Sequence, residues 1–389
     1  MFTIAIVAGA AVSYGRRQRY TYLSTGPAAQ GSRSASLRQS SVLSAAQGDT
    51  LARESNSRFS FGVIADVQWA DSEDGFNFKR TVRRHYRGAL KQLEAAVSWW
   101  KGQQPTFVVQ LGDLIDGKNA QAGQSQTALD GATRLLSTLT CRVVHLIGNH
   151  ELYNFDRSTL ATKIDTRPSP DNREFFAFQP AQGWRVLVLD SYHESLMGWP
   201  QDDERKRRAE RTLAENNPND LAKGDNWFKG LHGLERRFVP FNGALGQQQL
   251  KWLRQELNSA AAARERVILL SHAILHPCAC DGTTMIWDYP EALEAIRENR
   301  NVAMVICGHD HKGGYHCDEH GVHHITLCSP LNLGESGKAF GIMEIHDSSV
   351  DLHGPCLDDL LPSHATDLPA AMRSWMQGCQ VKRFPLHPL

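Results

Sequence analysis

Phe107-Val108-Val109-Gln110-Leu111-Gly112-Asp113 is the stretch on which the fold reading turns. It is a short apolar run that stops at a glycine and a carboxylate. Buried strands of an α/β sheet read this way, and glycine lets the chain turn sharply at the strand end. The pattern recurs along the chain. Gly62-Val63-Ile64-Ala65 leads into Asp66-Val67-Gln68, and Val143-Val144-His145-Leu146-Ile147 into Gly148-Asn149-His150-Glu151. Val267-Ile268-Leu269-Leu270 leads into Ser271-His272, and Val305-Ile306-Cys307 into Gly308-His309-Asp310-His311. Open α/β sheets place their ligand crevice beyond the carboxyl ends of the strands. Five such ends carrying Asp, Asn, Gln and His are therefore expected to meet at one metal centre.

Working outward, apolar runs at 59–67, 106–111, 142–147, 186–189, 267–270 and 302–307 read as core strands. Helices are expected at about 79–101, with Leu90, Leu93, Val97 and Trp100 on one stripe, and at about 124–139, 246–260 and 289–299. The stretch 321–329 and the pair 339–346 and 350–353 read as antiparallel strands, the pair turning at Asp347-Ser348-Ser349. Residues 200–235 read as a charged insertion with a helix near 202–215, and the stretch after about 356 shows no clear period. The expected fold is α/β (α+β), two packed sheets with helices outside. The expected organisation is a leader at 1–57, a catalytic domain at 58–356 and a C-terminal tail at 357–389.

Lys+Arg and Asp+Glu balance at 42 each, so no global charge draws the 389-residue chain to nucleic acid or to an anionic membrane face. No apolar run reaches the roughly 18–20 residues of a membrane span, and a soluble monomer acting on a small molecule is expected. Residues 1–48 hold no Asp or Glu but carry Arg16, Arg17, Arg19, Arg33 and Arg38 among Ser, Ala and Gly. That composition fits an organellar transit peptide and a solvated tail equally, which leaves the cytosol and an organelle both open. The eight cysteines form no C-x-x-C pair and read as reduced thiols. A zinc cluster at Cys278, Cys280 and Cys317 is the sharper alternative.

The order D-x-Q, G-D, G-N-H-E, S-H, G-H-x-H resembles the calcineurin-like metallophosphoesterase superfamily over about residues 59–353. The resemblance implies a four-layer αββα sandwich of two mixed sheets and two divalent ions. Carried over by motif, Asp66, Gln68, Asp113 and His311 take one ion, and Asp113, Asn149, His272 and His309 take the other, with Asp113 bridging. His150 and Asn149 become the catalytic pair, His150 protonating the leaving oxygen. The superfamily usually has His where this chain has Gln68. Gln there is similar to the manganese-dependent ADP-ribose/CDP-alcohol diphosphatases, as are Phe76-Asn77-Phe78, Arg83-Arg84, Phe241-Asn242-Gly243 and Trp287-Asp288-Tyr289.

That likeness implies hydrolysis of ADP-ribose to AMP and ribose 5-phosphate and of CDP-choline to CMP and phosphocholine. Phe78 and Phe241 would stack on the base, Thr284 would line the nucleotide pocket, and Arg84 would reach a distal phosphate. The carbonyl oxygen of Gln68 favours Mg²⁺ or Mn²⁺ where imidazole favours Zn²⁺, and the remaining histidines tip the choice to Mn²⁺. Asp116 and Glu151 read either as groups that orient ligating histidines or as plain surface carboxylates. A cyclic-nucleotide phosphodiesterase is the alternative enzyme, and a silent protein-binding scaffold the alternative of another class. Every ligand position being filled weighs against the scaffold.

Overall fold

The computed structural model describes residues 57–77, 79–166, 173–223, 226–361 and 381–388. The leader read at 1–57 thus lies outside the described residues except for Ser57, as does most of the stretch read as a tail. In chain order the strands are β1 (Phe59–Ile64), β2 (Gly75–Phe76), β3 (Arg83–Arg84), β4 (Phe107–Gln110), β5 (Arg142–His145), β6 (Phe176–Ala181) and β7 (Trp184–Val188). They continue as β8 (Arg266–Leu270), β9 (Val302–Cys307), β10 (Lys312–Cys317), β11 (His323–Cys328), β12 (Gly341–Ile345), β13 (Ser349–His353) and β14 (Val381–Pro385).

Two mixed six-stranded sheets result. The first runs β14-β13-β12-β1-β4-β5 and the second β10-β11-β9-β8-β7-β6, while β2 and β3 form a separate pair. Alternation along each strand decides what each face touches. Phe61 and Val63 of β1, Phe107 and Val109 of β4, Ile268 and Leu270 of β8 and Ile306 of β9 fill the space between the sheets. Ile64 and Val108 point the other way, onto Leu93, Val97 and Trp100 of helix Tyr86–Gln103 and onto Leu129 of helix Ser125–Leu136. Val267 and Leu269 meet Leu253 and Leu257 of helix Gly246–Ala262 and Ile296 of helix Tyr289–Arg297. The outcome is the expected four-layer sandwich. Each buried Val, Leu, Ile or Phe contributes about 1.5–3 kcal/mol by leaving water. Among the described residues no helix is long and apolar enough to cross a membrane.

The structure departs from the sequence reading at several places, among them the two-residue strands β2 and β3 and the short helices Asn149–Asn154 and Arg157–Lys163. The first helix begins at Tyr86 rather than near 79. Asn77 accepts the Thr81 and Val82 N–H groups through its side-chain oxygen at 2.8 and 3.1 Å, and this local turn directs the chain into β3 instead of a helix. Within the two large sheets, three strands are not announced by pattern: β6, β10 and β14. All three lie at sheet edges. β14 sits inside the stretch read as a tail, pairs antiparallel with β13 and buries Phe384.

The close approach of Trp100 to β1 requires glycine. Its Nε1–H donates to the Gly341 carbonyl at 2.9 Å, and a Cβ at Gly62 would lie 2.8 Å from the indole and 2.9 Å from Val108 Cγ2. Neighbours on both sides are fully buried, so Gly62→Ala is expected to cost about 1–3 kcal/mol through overpacking. A lowered midpoint of thermal or urea unfolding is the measurement; an unchanged midpoint would contradict this packing.

Candidate metal centre

Strand ends supply the side chains, and the backbone there is bent to deliver them. Seven non-glycine residues have positive φ among the described residues; four are Asp66 (51°), Gln68 (47°), Asp113 (57°) and His309 (69°). The left-handed region disfavours L-residues, and such strain collects at functional sites. Surrounding bonds hold it in place. Gln68 N–H donates to the Asp113 carbonyl at 2.8 Å, Asp66 N–H to the Gly112 carbonyl at 3.1 Å, and Ser329 Oγ to the Asp66 carbonyl at 2.7 Å.

Glycine is required at Gly112, Gly148 and Gly308 for clearance. A Cβ at Gly112 would lie 2.4 Å from His272 Nδ1, one at Gly148 2.1 Å from Asp113 Oδ1, and one at Gly308 2.5 Å from Asp66 Oδ2. Only a bare backbone lets the ligand side chains pass this closely.

The donors meet around Asp113, which is fully buried. Its Oδ1 accepts the His150 N–H at 2.8 Å. Its Oδ2 lies 2.9 Å from Gln68 Nε2, 3.5 Å from His272 Nε2 and 3.9 Å from His150 Nε2. Asp66 Oδ2 accepts the His309 N–H at 2.8 Å, while Oδ1 faces His311 Nε2 at 3.6 Å and His272 Nε2 at 4.0 Å. The ligand atoms of Asp66, Asp113, His272 and His309 all fall within 4.8 Å of one another.

Partners outside the centre fix which ring nitrogen faces inward. His272 Nδ1 lies 2.8 Å from the Leu111 carbonyl, which only accepts, so Nδ1 carries the proton and Nε2 turns to the centre. Asn242 spends both amide protons on the Arg237 and Thr283 carbonyls, so its Oδ1 accepts from His309 Nε2 at 2.8 Å. His309 Nδ1 is then a bare lone pair, 3.2 Å from His272 Nε2. Two lone pairs facing each other beside two carboxylates call for positive charge between them.

The electrostatics agree. Burial acts against a charged His272, yet Asp113 and then Asp66 hold it up at about 9. Burial likewise works to raise Asp113, but His272 and His150 outweigh it and keep that carboxyl below the usual range. Asp66 is pushed up, chiefly by burial. His311 is held down at about 3 by burial first and then by the charge of Arg84.

A dinuclear cation site fits these residues. Buried Asp66 Oδ1 and Gln68 Oε1 have no hydrogen-bond partner among the described residues. The Gln68 Nε2 position lies between Asp113 Oδ2 and His311 Nε2, 3.0 Å from the latter. Exchanging the amide oxygen and nitrogen, which only the hydrogen-bond network distinguishes, would put three acceptors there, an arrangement a cation satisfies and a proton donor does not.

Of the residues singled out from sequence, Asp66, Gln68, Asp113, His150, His272, His309 and His311 converge in this way. Asn149 joins them through Tyr192, whose hydroxyl donates to its Oδ1 at 3.1 Å and whose ring lies 5.9 Å from His272. Arg84, half-buried, is near enough to act on His311 and His150. Phe241 packs edge-on to His309 at 5.8 Å, and Thr284 lies in the loop whose Thr283 carbonyl binds Asn242. Phe78 lies outside the described residues.

Tyr192, Asn242's bond to His309, and the aromatic rings of Trp227 and Phe228 beside Phe241 at 6.3 and 6.2 Å were not read from sequence as site features. The role open for Glu151 resolves differently from either sequence reading. Its buried carboxylate accepts the N–H groups of Asp113 (2.7 Å), Leu114 (2.6 Å) and Gly148 (2.8 Å), tying two ligand loops together rather than orienting a histidine. Asp116 is buried and turns to His150, its Oδ2 3.2 Å from Nδ1. Gly117 N–H also reaches that Nδ1, at 2.9 Å. Gly117 suits the neutral ring and Asp116 the protonated one. Burial opposes protonation of His150, but Asp113 and Asp116 raise its pKa overall.

This sandwich with a buried Asp/His/Asn/Gln cluster at its strand ends is that of a metallophosphoesterase. Residues 59–313 match the calcineurin-like phosphoesterase family, and the chain belongs to that family. It is 39% identical over 300 residues to a manganese-dependent ADP-ribose/CDP-alcohol diphosphatase of Oryza sativa, spanning 76% of this chain and 91% of that one. The protein of the same name from Homo sapiens is 37% identical over 79% of this chain and 92% of its own. The crystal structure of a dimetal phosphatase from Danio rerio superposes with a TM-score of 0.76 at 34% identity, covering 85% of this chain and all of that one.

Glu151→Gln is expected to cost about 1–3 kcal/mol, because an NH₂ group would oppose buried N–H donors that now have an acceptor. Since those donors belong to the Asp113 and Gly148 loops, divalent-metal affinity should fall along with the unfolding midpoint. A variant with unaltered metal titration would refute the tie between the loops.

Proposed function

We propose that the chain is a manganese-dependent hydrolase of nucleoside diphosphate derivatives. It adds water across the diphosphate linkage of ADP-ribose, giving AMP and ribose 5-phosphate, and cleaves CDP-alcohols likewise to CMP and the phosphoalcohol. The observation that carries this reading is the meeting of Gln68, His272 and His150 at one oxygen of Asp113. The names and near-complete coverage of the relatives support the substrate class.

Asp66, Gln68, Asp113 and His311 would hold one ion, and Asp113, Asn149, His272 and His309 the other. Two such ions supply Lewis-acid polarisation of phosphoryl oxygens and a lowered pKa for the attacking water. The remaining chemistry belongs to the chain. Neutral His150 accepts the Gly117 N–H at Nδ1, so its proton sits on Nε2, the nitrogen turned to Asp113. As the acid, the ring takes up a second proton at Nδ1, which Asp116 Oδ2 accepts at 3.2 Å; this imidazolium gives its Nε2 proton to the departing phosphate oxygen and returns to the neutral ring. Arg84 binds the distal phosphate. Phe241, backed by Trp227 and Phe228, offers a face to the base, Phe78 serves as a further aromatic, and Thr284 lines the pocket. The enzyme acts as a monomer on a small molecule, and residues 1–55 are dispensable for catalysis.

Product analysis with Mn²⁺ across ADP-ribose, CDP-choline and 2′,3′-cyclic AMP tests the reading. Release of AMP with ribose 5-phosphate is expected; cleavage confined to the cyclic nucleotide would make the chain a cyclic phosphodiesterase instead. Asp113→Ala should lose metal-dependent turnover, since both ions lose a ligand. His150→Ala should lower kcat about 10²–10⁴-fold, the range for a general acid, with metal content unchanged.

A further inference from the structure

A second cluster of metal-binding side chains lies away from the strand ends, on the face of β10 and β11. These strands pair antiparallel with His316 opposite His324 and Gly314 opposite Thr326, so all four share one face. The turn Pro277–Ala279 is pressed against that face. Thr326 Oγ1 donates to the Ala279 carbonyl at 2.9 Å, and a Cβ at Gly314 would lie only 2.3 Å from that oxygen. His276 is thereby packed against both strand histidines, stacked on the His316 ring at 4.5 Å between centroids and tilted to the His324 ring at 4.4 Å. Cys278 follows on the same turn. The ligand atoms of His276, Cys278 and His316 lie within 4.8 Å of one another.

His324 adds the independent sign of a ligand. It is 2% exposed, its Nε2 faces Asp318 Oδ2 at 3.3 Å, and its Nδ1 has no hydrogen-bond partner among the described residues. Asp318 is itself anchored, its Oδ1 accepting the His320 and Val322 N–H groups at 2.9 Å each. A carboxylate on one nitrogen and a bare lone pair on the other is how metal-bound histidines are commonly held. We propose that His276, Cys278 and His316, whose ligand atoms already lie together, bind one Zn²⁺ ion, and that His324, its ring against His276, turns its Nδ1 in as the fourth ligand on binding, a structural site separate from the dinuclear centre.

The donor set selects the metal. Three imidazoles and a thiolate, with no carboxylate in direct reach, suit tetrahedral zinc and not manganese, magnesium or calcium. The rings are in the right state for it: burial first, then the neighbouring His324 and His316, depress the His276 pKa to about 3. The Cys278 N–H reaches His276 Nδ1 at 3.2 Å, a long hydrogen bond that a cation on that nitrogen would replace. Cys278 is exposed and His316 half-buried, which leaves an entry path from solvent. The cysteine set considered from sequence is thus replaced, with Cys278 alone retained. Cys317 lies one residue beyond His316, so its side chain leaves on the opposite face, and Cys280 accepts the Gly282 N–H at 3.3 Å.

Bound zinc would clamp the loop that follows His272 to the edge strand β10. That loop also touches the dinuclear centre's surroundings, since Asp281 N–H donates to Asp310, between His309 and His311, at 3.1 Å.

Cobalt titration of the metal-stripped full-length chain tests the proposal. A thiolate-to-Co²⁺ charge-transfer band with tetrahedral d–d absorption is expected, displaced by one equivalent of Zn²⁺. The dinuclear centre has no cysteine, so the band should persist in Asp113→Ala and vanish in Cys278→Ser, which should bind one zinc fewer per chain. His316→Gln should lose the tetrahedral spectrum. Absence of a thiolate band from the unmutated chain, or an equal band in Cys278→Ser, would overturn the site.

Discussion

Everything at the strand ends answers to one constraint: a carboxylate, Asp113, must sit fully buried with one oxygen facing cations. Buried charge is tolerated only when it is paired and hydrogen-bonded. Asp113 Oδ1 is satisfied by the His150 N–H, whereas Oδ2 meets Gln68, His272 and His150. Assembling the centre around it from five strand ends puts left-handed backbone at Asp66, Gln68, Asp113 and His309, at about 1–3 kcal/mol apiece. It also demands glycine at 112, 148 and 308, where any side chain would strike a ligand. The twelve strands of the two sheets supply the rigidity that keeps this strain from relaxing.

Rigid ligands need rigid supports. Leu111 and Asn242 point one lone pair each from His272 and His309 into the centre, and Tyr192 holds the Asn149 amide. Glu151 acts a step further back, gathering three backbone N–H groups from the two loops that carry Asp113 and Gly148. Its role is geometric: it keeps two loops in register. Such outer contacts matter because an ångström of slack in a ligand is felt in metal affinity and in the alignment of the acid.

The ligands were legible in the sequence because each follows a run of Val, Ile and Leu, and a buried strand announces where it ends. The three strands of the large sheets that pattern does not announce carry no such run. β10 begins Lys312-Gly313-Gly314, β6 contains Pro180, and β14 ends at Pro385. Each is an edge strand, where one side needs no ladder hydrogen bonds, so proline and glycine are tolerated and the apolar signal fades. The start of helix Tyr86–Gln103 is not legible because its periodic stripe says nothing of the Asn77 turn before it. Tyr192 and the Trp227–Phe228 pair were opaque for a different reason: an aromatic in sequence reads as core until tertiary contacts show which ring it meets. The His276–His316–His324 cluster depended on the register of β10 against β11, and β10 was one of the strands that pattern missed.

Two donor sets of different softness in one chain bear on which ion goes where. Zinc binds most nitrogen and oxygen sites more tightly than manganese, so selectivity must come from donor type, geometry and metal supply. Around Asp113 four residues offer oxygen, Asp66, Gln68, Asp113 and Asn149, against three imidazoles. Replacing the usual imidazole by Gln68 removes the nitrogen that would most favour zinc, at the position nearest Asp113 Oδ2. The β10–β11 cluster does the reverse, gathering three imidazoles and a thiol and keeping its one carboxylate, Asp318, behind His324. A metal that prefers soft donors is drawn to that clamp. The centre that must activate water is left to the ion that accepts oxygen: its carboxylates and amides set it apart from the thiol and imidazoles of the clamp, and Gln68 adds to that difference where an imidazole would have lessened it.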